Sequence, residues 1–438
     1  MIRQKIDNIL RTERPVAPLA VVRIAFGAIL FVSTIRFMLK GWVDEFYVMP
    51  GFHFPFYGFE WVRPLPAGGM HFVFWGMAVA ALFIALGLFY RLSVFTFLVI
   101  FTYVELLDKT YYLNHYYFVS VFTFLLLLVP AGRYFSLDVL RNPSSKVVRV
   151  PAWTIIILQA QLILVYFLAG LSKLTVDWMI NAMPLRIWLP ANSGMPVIGS
   201  LLTQVWVAYV FSWFGAVFDL SIGFLLLYRK TRPVAYIFVV LFHVLTAFLF
   251  KIGMFPYIMI AATLVFFPAG NLQESGAVWQ PGKRRQKILY PLLVLYFFVQ
   301  IVLPFRYLLY PGKLFWTEEG YRFSWRVMLM EKTGTCFFYV KDPATGRRGE
   351  VNNSQYLTAF QERQMATQPD MLLQYAHYLY AIYQHKGIKD PVITVEDYVT
   401  LNGSGSRLYV DSTTDLARQR ETFLPTTWIL PFQPNKIK

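Results

Sequence analysis

Lys173 is the residue of this sequence whose type and position most directly suggest chemistry. It ends a long apolar run and is followed closely by Asp177 and Trp178. A lysine held where water is scarce has its charged form disfavoured, so its neutral amine can act as a general base near pH 7. A lone lysine in this position can equally extend its ammonium to the lipid headgroups. A catalytic role therefore requires companion residues.

Other polar side chains stand at or near the ends of apolar runs, and we expect them to gather at one mouth. They are Asn114, His115, His71, Arg186, His243 and Lys251. Each has a second interpretation: Asn114 could cap a helix, and His243 could be a hydrogen-bonded histidine of a helix bundle. Burying polar groups in hydrocarbon is costly, so their coincidence at one face favours a functional site.

Motifs of several common enzyme classes are absent. The chain contains no GxSxG, GxGxxG, P-loop or HExxH pattern, which disfavours hydrolytic and nucleotide-dependent chemistry. Cys336 is the single cysteine, which excludes an intrachain disulfide and a cysteine-rich metal site. We predict no metal site.

The elements that must position these residues are membrane helices. Charged residues make up only 15% of the chain and hydrophobic residues 57%, whereas soluble proteins average about 25% charged. Residues 1–312 are therefore predicted to form a polytopic α-helical membrane domain of about nine transmembrane helices, with eight as the alternative. The apolar segments are 16–38, 70–90, 92–108, 114–131, 151–173, 205–228, 233–250, 252–268 and 288–309.

The composition becomes polar from about Phe315. Alternating patterns typical of strands occur at Cys336–Val340 and Arg407–Val410, and a helical run near Asp370–Gln384 lies between them. Residues 313–438 are therefore predicted to form a small extracytoplasmic α+β domain.

The basic residues orient the chain in the membrane. A net charge of +16 would suggest nucleic acid in a soluble protein, but Lys and Arg cluster here between apolar runs, so nucleic acid is not expected as a partner. With a cytoplasmic N-terminus, the inner segments hold most of them, including the run Lys283–Lys287. An odd number of spans then places the C-terminal domain outside. The outer loops hold Lys40, Arg63, Lys109, Lys173, Arg186 and Lys251.

At these residues the sequence resembles the vitamin K-dependent γ-glutamyl carboxylase family, whose membrane part is also called the HTTM domain. The string Ala-Gly-x-x-Lys-Leu-x-x-Asp-Trp and the pair Asn114-His115 are the most specific features, and the resemblance covers nearly the whole chain. The matching stretches are Tyr112–His115, Tyr166–Trp178, Leu185–Trp188, Phe242–His243, Ile252–Phe255, Gly320–Trp325, Thr345–Glu350 and Asp370–Tyr375.

The resemblance implies a coupled reaction. The family's lysine, which matches Lys173, deprotonates reduced vitamin K, which reacts with O2 to give a strongly basic alkoxide and ends as the epoxide. That base removes the γ-proton of a glutamate in a polypeptide, and the carbanion captures CO2. His115 and Asn114 would join Lys173 as catalytic residues at the quinone oxygens. The quinone-binding and substrate-binding residues would be Arg186, His243, Asp177, Trp178, Tyr321 and Trp325.

The chain also departs from the animal enzymes. Ser172 stands where they have a second lysine, Phe323 where they have Tyr, and Arg326 where they have Asp. The chain is also much shorter than the animal enzymes and resembles a compact bacterial member of the inner membrane, with a periplasmic C-terminal domain and menaquinol as the plausible hydroquinone. Two alternatives stay open: a hydroquinone epoxidase that does not carboxylate glutamate, and a non-catalytic membrane protein that binds quinol or docks a partner.

Overall fold

The computed structural model describes residues 2–250, 252–268 and 276–433. Lys251, which the sequence places at the outer mouth, lies outside the described residues. The helices are α1 Ile2–Arg11, α2 Ala17–Leu39, α3 Ala67–Leu86, α4 Tyr90–Leu107, α5 Asn114–Leu128, α6 Leu137–Arg141, α7 Trp153–Ser172, α8 Val176–Met179, α9 Leu185–Trp188, α10 Gly199–Leu202, α11 Val205–Leu227, α12 Arg232–Leu249, α13 Phe255–Ala262, α14 Lys283–Val302, α15 Leu314–Thr317, α16 Ala359–Met365 and α17 Pro369–His385. The strands are β1 Glu13–Pro15, β2 Arg149–Pro151, β3 Lys332–Lys341, β4 Arg348–Glu350, β5 Val392–Leu401 and β6 Arg407–Leu408.

Seven of the described helices are long and apolar enough to cross a membrane: α2, α3, α4, α7, α11, α12 and α14 with its continuation to Leu309. A helix satisfies its backbone hydrogen bonds internally, which is why apolar segments of this length take that form in hydrocarbon. Two shorter apolar helices, α5 and Phe255–Phe266, fall on the remaining predicted segments. The protein is thus helical with several candidate membrane spans, and the number nine stays a prediction.

Glycines bring neighbouring membrane helices into backbone contact. A Cβ atom at Gly170 of α7 would lie 2.6 Å from the amide nitrogen of Leu220 on α11, and one at Gly27 of α2 would lie 2.5 Å from that of Ala85 on α3. Small residues allow such close approach between membrane helices, where dispersion forces drive packing. The α7–α11 crossing matters most, because Lys173 directly follows α7.

The C-terminal domain is built on an antiparallel sheet in the order β4-β3-β5-β6. Strands β3 and β5 pair along their whole length, and Phe338 of β3 lies opposite Val395 of β5. Both side chains are buried, and Tyr375 of α17 contacts the ring of Phe338 edge-on, with ring centroids 5.0 Å apart. The two strand patterns and the helical run predicted from the sequence all lie in this domain. Strand β5 is not predicted from the sequence.

A buried charge network joins the C-terminal domain to the outer ends of the membrane helices. Lys109, just after α4, has its Nζ 2.6 Å from Oδ2 of Asp370 at the start of α17, and its side chain is 1% exposed. Arg322 forms a second ion pair with Asp370 at 2.7 Å. Burial by itself would raise the pKa of Asp370, but Arg322 and Lys109 outweigh it and hold that pKa well below its usual range. The contribution of Asp370 to stability is therefore present at neutral pH and lost as the pH falls.

Substituting Lys109→Met is expected to destabilise the protein by about 1.5 to 3 kcal/mol, because it removes a charge-assisted contact to Asp370 while Arg322 still compensates that carboxylate. The measurement is thermal unfolding in detergent together with protease sensitivity of the C-terminal domain. Lys341→Met, at an exposed lysine of β3, is the matched control. Equal unfolding temperatures for the two variants would contradict the proposed role of the network.

A second expectation concerns Asp397 of β5, which is 0% exposed and whose two carboxylate oxygens have no hydrogen-bond partner among the described residues. Burial raises its pKa well above the usual value, against the attraction of Lys332. The folded state then holds a proton that the unfolded state releases, so the domain loses stability as the pH rises above about 4, by about 1.4 kcal/mol per unit of pKa elevation. Asp397→Asn should flatten the fall of the unfolding temperature as the pH rises above about 4; an unchanged slope would contradict this expectation.

Candidate active site

An apolar cavity lies among α5, α7, α11, α12 and α13 on the side that faces the C-terminal domain. Its volume of about 130 Å³ is close to that of an apolar cavity known to hold one benzene ring, at about 150 Å³. The lining is mostly apolar and aromatic. The polar and ring-bearing side chains that decide its chemistry are His115, Tyr166, Lys173, Trp178, Asp219 and His243.

Lys173 is ion-paired in this cavity. Its Nζ lies 2.6 Å from Oδ2 of Asp219, and each side chain is only 7% exposed. The indole of Trp178 faces the ammonium at 5.3 Å from the ring centroid, a cation–π contact. The sequence predicts an isolated lysine that is neutral because of burial; the structure instead gives it a buried carboxylate partner.

Sequence reasoning missed Asp219. A signal was present, because Asp219 is the single charged residue within the 23 residues of α11, and an acid inside a membrane helix is by default a candidate functional group. The contact with Lys173 depends on the crossing of α7 and α11, which pattern analysis of separate segments does not reveal.

Trp178 is held by two hydrogen bonds between α8 and α11. Its Nε1 donates to the carbonyl of Ser212 at 2.8 Å, and the hydroxyl of Ser212 donates back to the carbonyl of Trp178 at 2.5 Å. The hydroxyl of Thr175 caps α8 by accepting from the backbone N–H of Trp178 at 3.3 Å. The indole is therefore fixed against the ammonium of Lys173.

Two histidines line the cavity in different ways. His243 of α12 is 4% exposed, and its Nε2 lies 2.8 Å from the hydroxyl of Tyr166 on α7, so it is a hydrogen-bonded histidine of the bundle as well as part of the cavity wall. His115 stacks on Phe255 with ring centroids 5.1 Å apart. Within the part of the chain that the structure describes, no hydrogen bond joins the His115 imidazole to another residue, so its ring nitrogens are available to a ligand.

Asn114 lies beside the cavity but does not line it. Its Nδ2 donates to the carbonyl of Arg326 at 2.7 Å, and its Oδ1 accepts from the hydroxyl of Tyr112 at 2.9 Å. The interpretation of Asn114 as a helix cap is wrong, because Leu113 is the residue that precedes α5 and no side chain caps this helix. Asn114 instead ties the membrane domain to the chain near residue 326.

Residues 321–328, here called the partition segment, close the cavity on its outer side through Val327 and Met328. Three of its residues, Phe323, Trp325 and Met328, have φ values of 59°, 58° and 55°. Left-handed backbone is strained for bulky residues, at about 1 to 3 kcal/mol each, and persists where surrounding contacts determine it. This segment lies at the boundary between the two domains.

The structure places the other residues predicted from the sequence outside the cavity. Trp325 is buried and stacks on Tyr117 at 4.9 Å. Asp177 forms an ion pair with Lys313 at 2.7 Å and accepts from Asn402 at 3.2 Å. Arg186 is exposed on α9, and His71 pairs with Asp44 at 2.9 Å. Of the residues predicted from the sequence, the cavity brings together Lys173, His115, His243 and Trp178.

A second, charged cleft of about 480 Å³ lies on the other side of the partition segment, between the two domains. Tyr321 lines this cleft, and its hydroxyl donates to the carbonyl of Arg326 at 3.2 Å. Arg306 enters from the outer end of α14: its Nη2 donates to the carbonyl of Arg322, and its Nη1 has no hydrogen-bond partner in the described parts of the chain. Three acids of the cleft face other cations, namely Asp370, Glu318 and Glu421, whereas Glu319 accepts from the backbone N–H of Thr426.

Comparisons with known protein families match both parts of the chain. Residues 12–270 match the HTTM domain, and residues 285–435 match the vitamin K-dependent gamma-carboxylase, lumenal domain. No solved structure matches this chain. The apolar helices make the protein an integral membrane protein, and the match to a lumenal domain places its C-terminal part on the extracytoplasmic side. The chain therefore belongs to the vitamin K-dependent γ-carboxylase family, and its resemblance to that family is confirmed.

Proposed function

We propose that this protein is a γ-glutamyl carboxylase that couples oxygenation of reduced vitamin K to the addition of CO2 to glutamate. One observation carries the proposal: an apolar cavity and a charged cleft adjoin on opposite sides of the partition segment. A lipid-soluble hydroquinone and a water-soluble polypeptide can react together only where a membrane cavity meets an aqueous cleft. The protein would use O2 and CO2 as co-substrates.

The cavity residues fit a reduced quinone. Aromatic and aliphatic side chains suit a planar ring and an isoprenoid or phytyl tail, while His115 and Lys173 supply polar groups for ring oxygens. Reduced vitamin K, when bound and oxygenated, supplies the strong base that removes the γ-proton of glutamate. Lys173 would receive a hydroxyl proton, and His115 would donate a hydrogen bond to an oxygen that gains negative charge.

The remaining cavity residues orient these groups. Tyr166 and His243 hydrogen-bond each other and form a fixed wall beside the ion pair. The partition segment excludes water from the outer side, which protects a strong base from being quenched. Asn114 keeps that segment in place through the carbonyl of Arg326.

The charged cleft is the proposed site for the glutamate of a polypeptide. Arg306 would pair with the substrate carboxylate, since its Nη1 has no partner within the described residues. Tyr321 lies on the same wall. A glutamate bound here would be separated from the cavity by the partition segment alone, and its side chain would have to pass that segment for the base to remove its γ-proton.

A second candidate is a hydroquinone epoxidase that does not carboxylate glutamate. The observation that favours it is Phe323, whose ring packs against Tyr112 and Tyr117 at 4.9 and 5.0 Å and carries no hydroxyl. We further propose a bacterial inner membrane location with a cytoplasmic N-terminus, a periplasmic C-terminal domain and menaquinol as the hydroquinone. Sixteen basic residues on the inner segments are consistent with that orientation.

Replacing Lys173 with alanine should lower epoxide formation at least about 100-fold and abolish carboxylation with it, because both depend on the first proton transfer. The assay follows epoxide and labelled CO2 in one sample of protein in nanodiscs, with Lys341→Ala as control. Epoxide without label in the wild type would support the epoxidase. Quinone binding without any epoxide would support a non-catalytic protein, and normal turnover by the Lys173 variant would overturn the assignment of the base.

The variant Arg306→Gln should raise the KM for a glutamate peptide about tenfold or more, because a charge-assisted hydrogen bond contributes about 1.5 to 3 kcal/mol. The kcat at saturating peptide should change far less. Arg347→Gln, on an exposed turn before β4, serves as the control. A KM equal to that of the wild type would remove Arg306 from the peptide site.

A further inference from the structure

The ion pair between Lys173 and Asp219 changes how a proton can be received in the cavity. An ammonium has no site for another proton, so Lys173 cannot act as a base while it is charged. Asp219, 2.6 Å away, carries the electron pair that a proton needs. The shared proton can lie on Lys173 or on Asp219. In both cases the pair can accept one more proton, and it then consists of an ammonium beside a carboxylic acid.

We propose that Asp219 is the proton acceptor of the site and that Lys173 is its relay and charge partner; this rests on the proposed function. Lys173 passes one N–H proton to Oδ2 of Asp219 and receives the hydroxyl proton of the bound hydroquinone. The O–H bond breaks, its electron pair stays on the hydroquinone oxygen, and a new O–H bond forms on Asp219. Lys173 ends as an ammonium, now paired with that oxygen.

The surroundings of the pair favour this exchange. Before the transfer the ammonium of Lys173 is paired with the carboxylate of Asp219, and after it with the negatively charged oxygen of the hydroquinone. No isolated charge therefore appears in an apolar cavity, where it would be very costly. Trp178 faces the ammonium at 5.3 Å and stabilises it independently of Asp219. Asp219 itself lines the cavity, as does Lys173, so a ligand can approach both.

The distance between the two groups is set by backbone contact. A Cβ at Gly170 would lie 2.6 Å from the amide nitrogen of Leu220 and 3.0 Å from the carbonyl carbon of Asp219. One turn before Asp219, Gly215 also lines the cavity, and a Cβ there would reach to 3.7 Å from the ring of Trp178. The two helices therefore hold the pair in contact and leave room beside it.

The first test compares Asp219→Asn with Asp219→Glu in the epoxide assay. The amide keeps the size and the hydrogen bond of the side chain but accepts no proton, so it should lower kcat about 100-fold. The glutamate, although larger, keeps the carboxyl and should stay within about tenfold of the wild type. If Asp219 had only a structural role, the Asn variant would have a higher kcat than the Glu variant, and that result would overturn the proposal. Ser221→Ala, at a half-buried position of α11 that does not line the cavity, is the control.

The pH profile gives a second readout. In the wild type, activity is lost at low pH when the carboxyl of Asp219 is already protonated. In Asp219→Asn that carboxyl is absent, so the acid limb that its protonation sets should change its position. The other titratable side chains that line the cavity, Tyr166, His243 and His115, are unchanged. An unmoved limb would contradict the proposal.

A third readout does not depend on turnover. Acetic anhydride modifies neutral amines, and mass spectrometry of the peptide containing Lys173 gives its rate of acetylation. Lys173 should react several-fold faster in Asp219→Asn than in the wild type or in Asp219→Glu, because a buried amine without a counter-charge is more often neutral. Equal rates would refute the coupling of the two groups. A wild type that forms no epoxide would refute the proposed function, while the acetylation rates would still decide whether Asp219 controls the proton of Lys173.

Discussion

An ammonium and a carboxylate lie 2.6 Å apart in apolar surroundings, and each is tolerable there because of the other. That constraint explains much of the membrane domain around it. Helices α7 and α11 must touch backbone to backbone, which Gly170 permits, and the chain after α7 must turn back at once so that the indole of Trp178 can cover the ammonium. Helices α5, α12 and α13 then complete a cavity around a pair that is already assembled.

The proposed base and the proposed peptide site are coupled through the domain interface. Lys109 and Arg322 converge on Asp370, and Arg322 belongs to the partition segment. The charges that attach the C-terminal domain to the helices therefore also position the wall between cavity and cleft. Apolar contacts are not directional and would not fix the position of the partition segment. The ion pair of Arg322 and the hydrogen bond from Asn114 are directional and do fix it.

Hydropathy predicts much of this architecture, because an apolar segment in hydrocarbon has few alternatives to a helix. In the C-terminal domain, the predicted strand patterns lie in or next to the sheet, and the predicted helical run lies in α17. The cavity brings together Lys173, His115, His243 and Trp178, each of which stands out in the sequence by its type and its place near the end of an apolar run. Asp219 was missed because its importance comes from a contact with another helix. The resemblance links Asn114 and Trp325 to the quinone, which stays a prediction. In the structure Asn114 donates to the carbonyl of Arg326 in the partition segment, and Trp325, a residue of that segment, stacks on Tyr117.

The partition segment insulates the cavity with the same backbone that borders the cleft. Phe323 borders the cleft and Met328 borders the cavity, and both adopt left-handed conformations, as does Trp325 between them. A substitution that relaxes this strained backbone on one face would therefore also shift the residues on the other. The proposed exclusion of water and the proposed recognition of a polypeptide are then coupled through this backbone. Relatives that accept different polypeptides would have to diversify through residues on the far side of the cleft, on the C-terminal domain, and the sequence of the segment itself should evolve slowly.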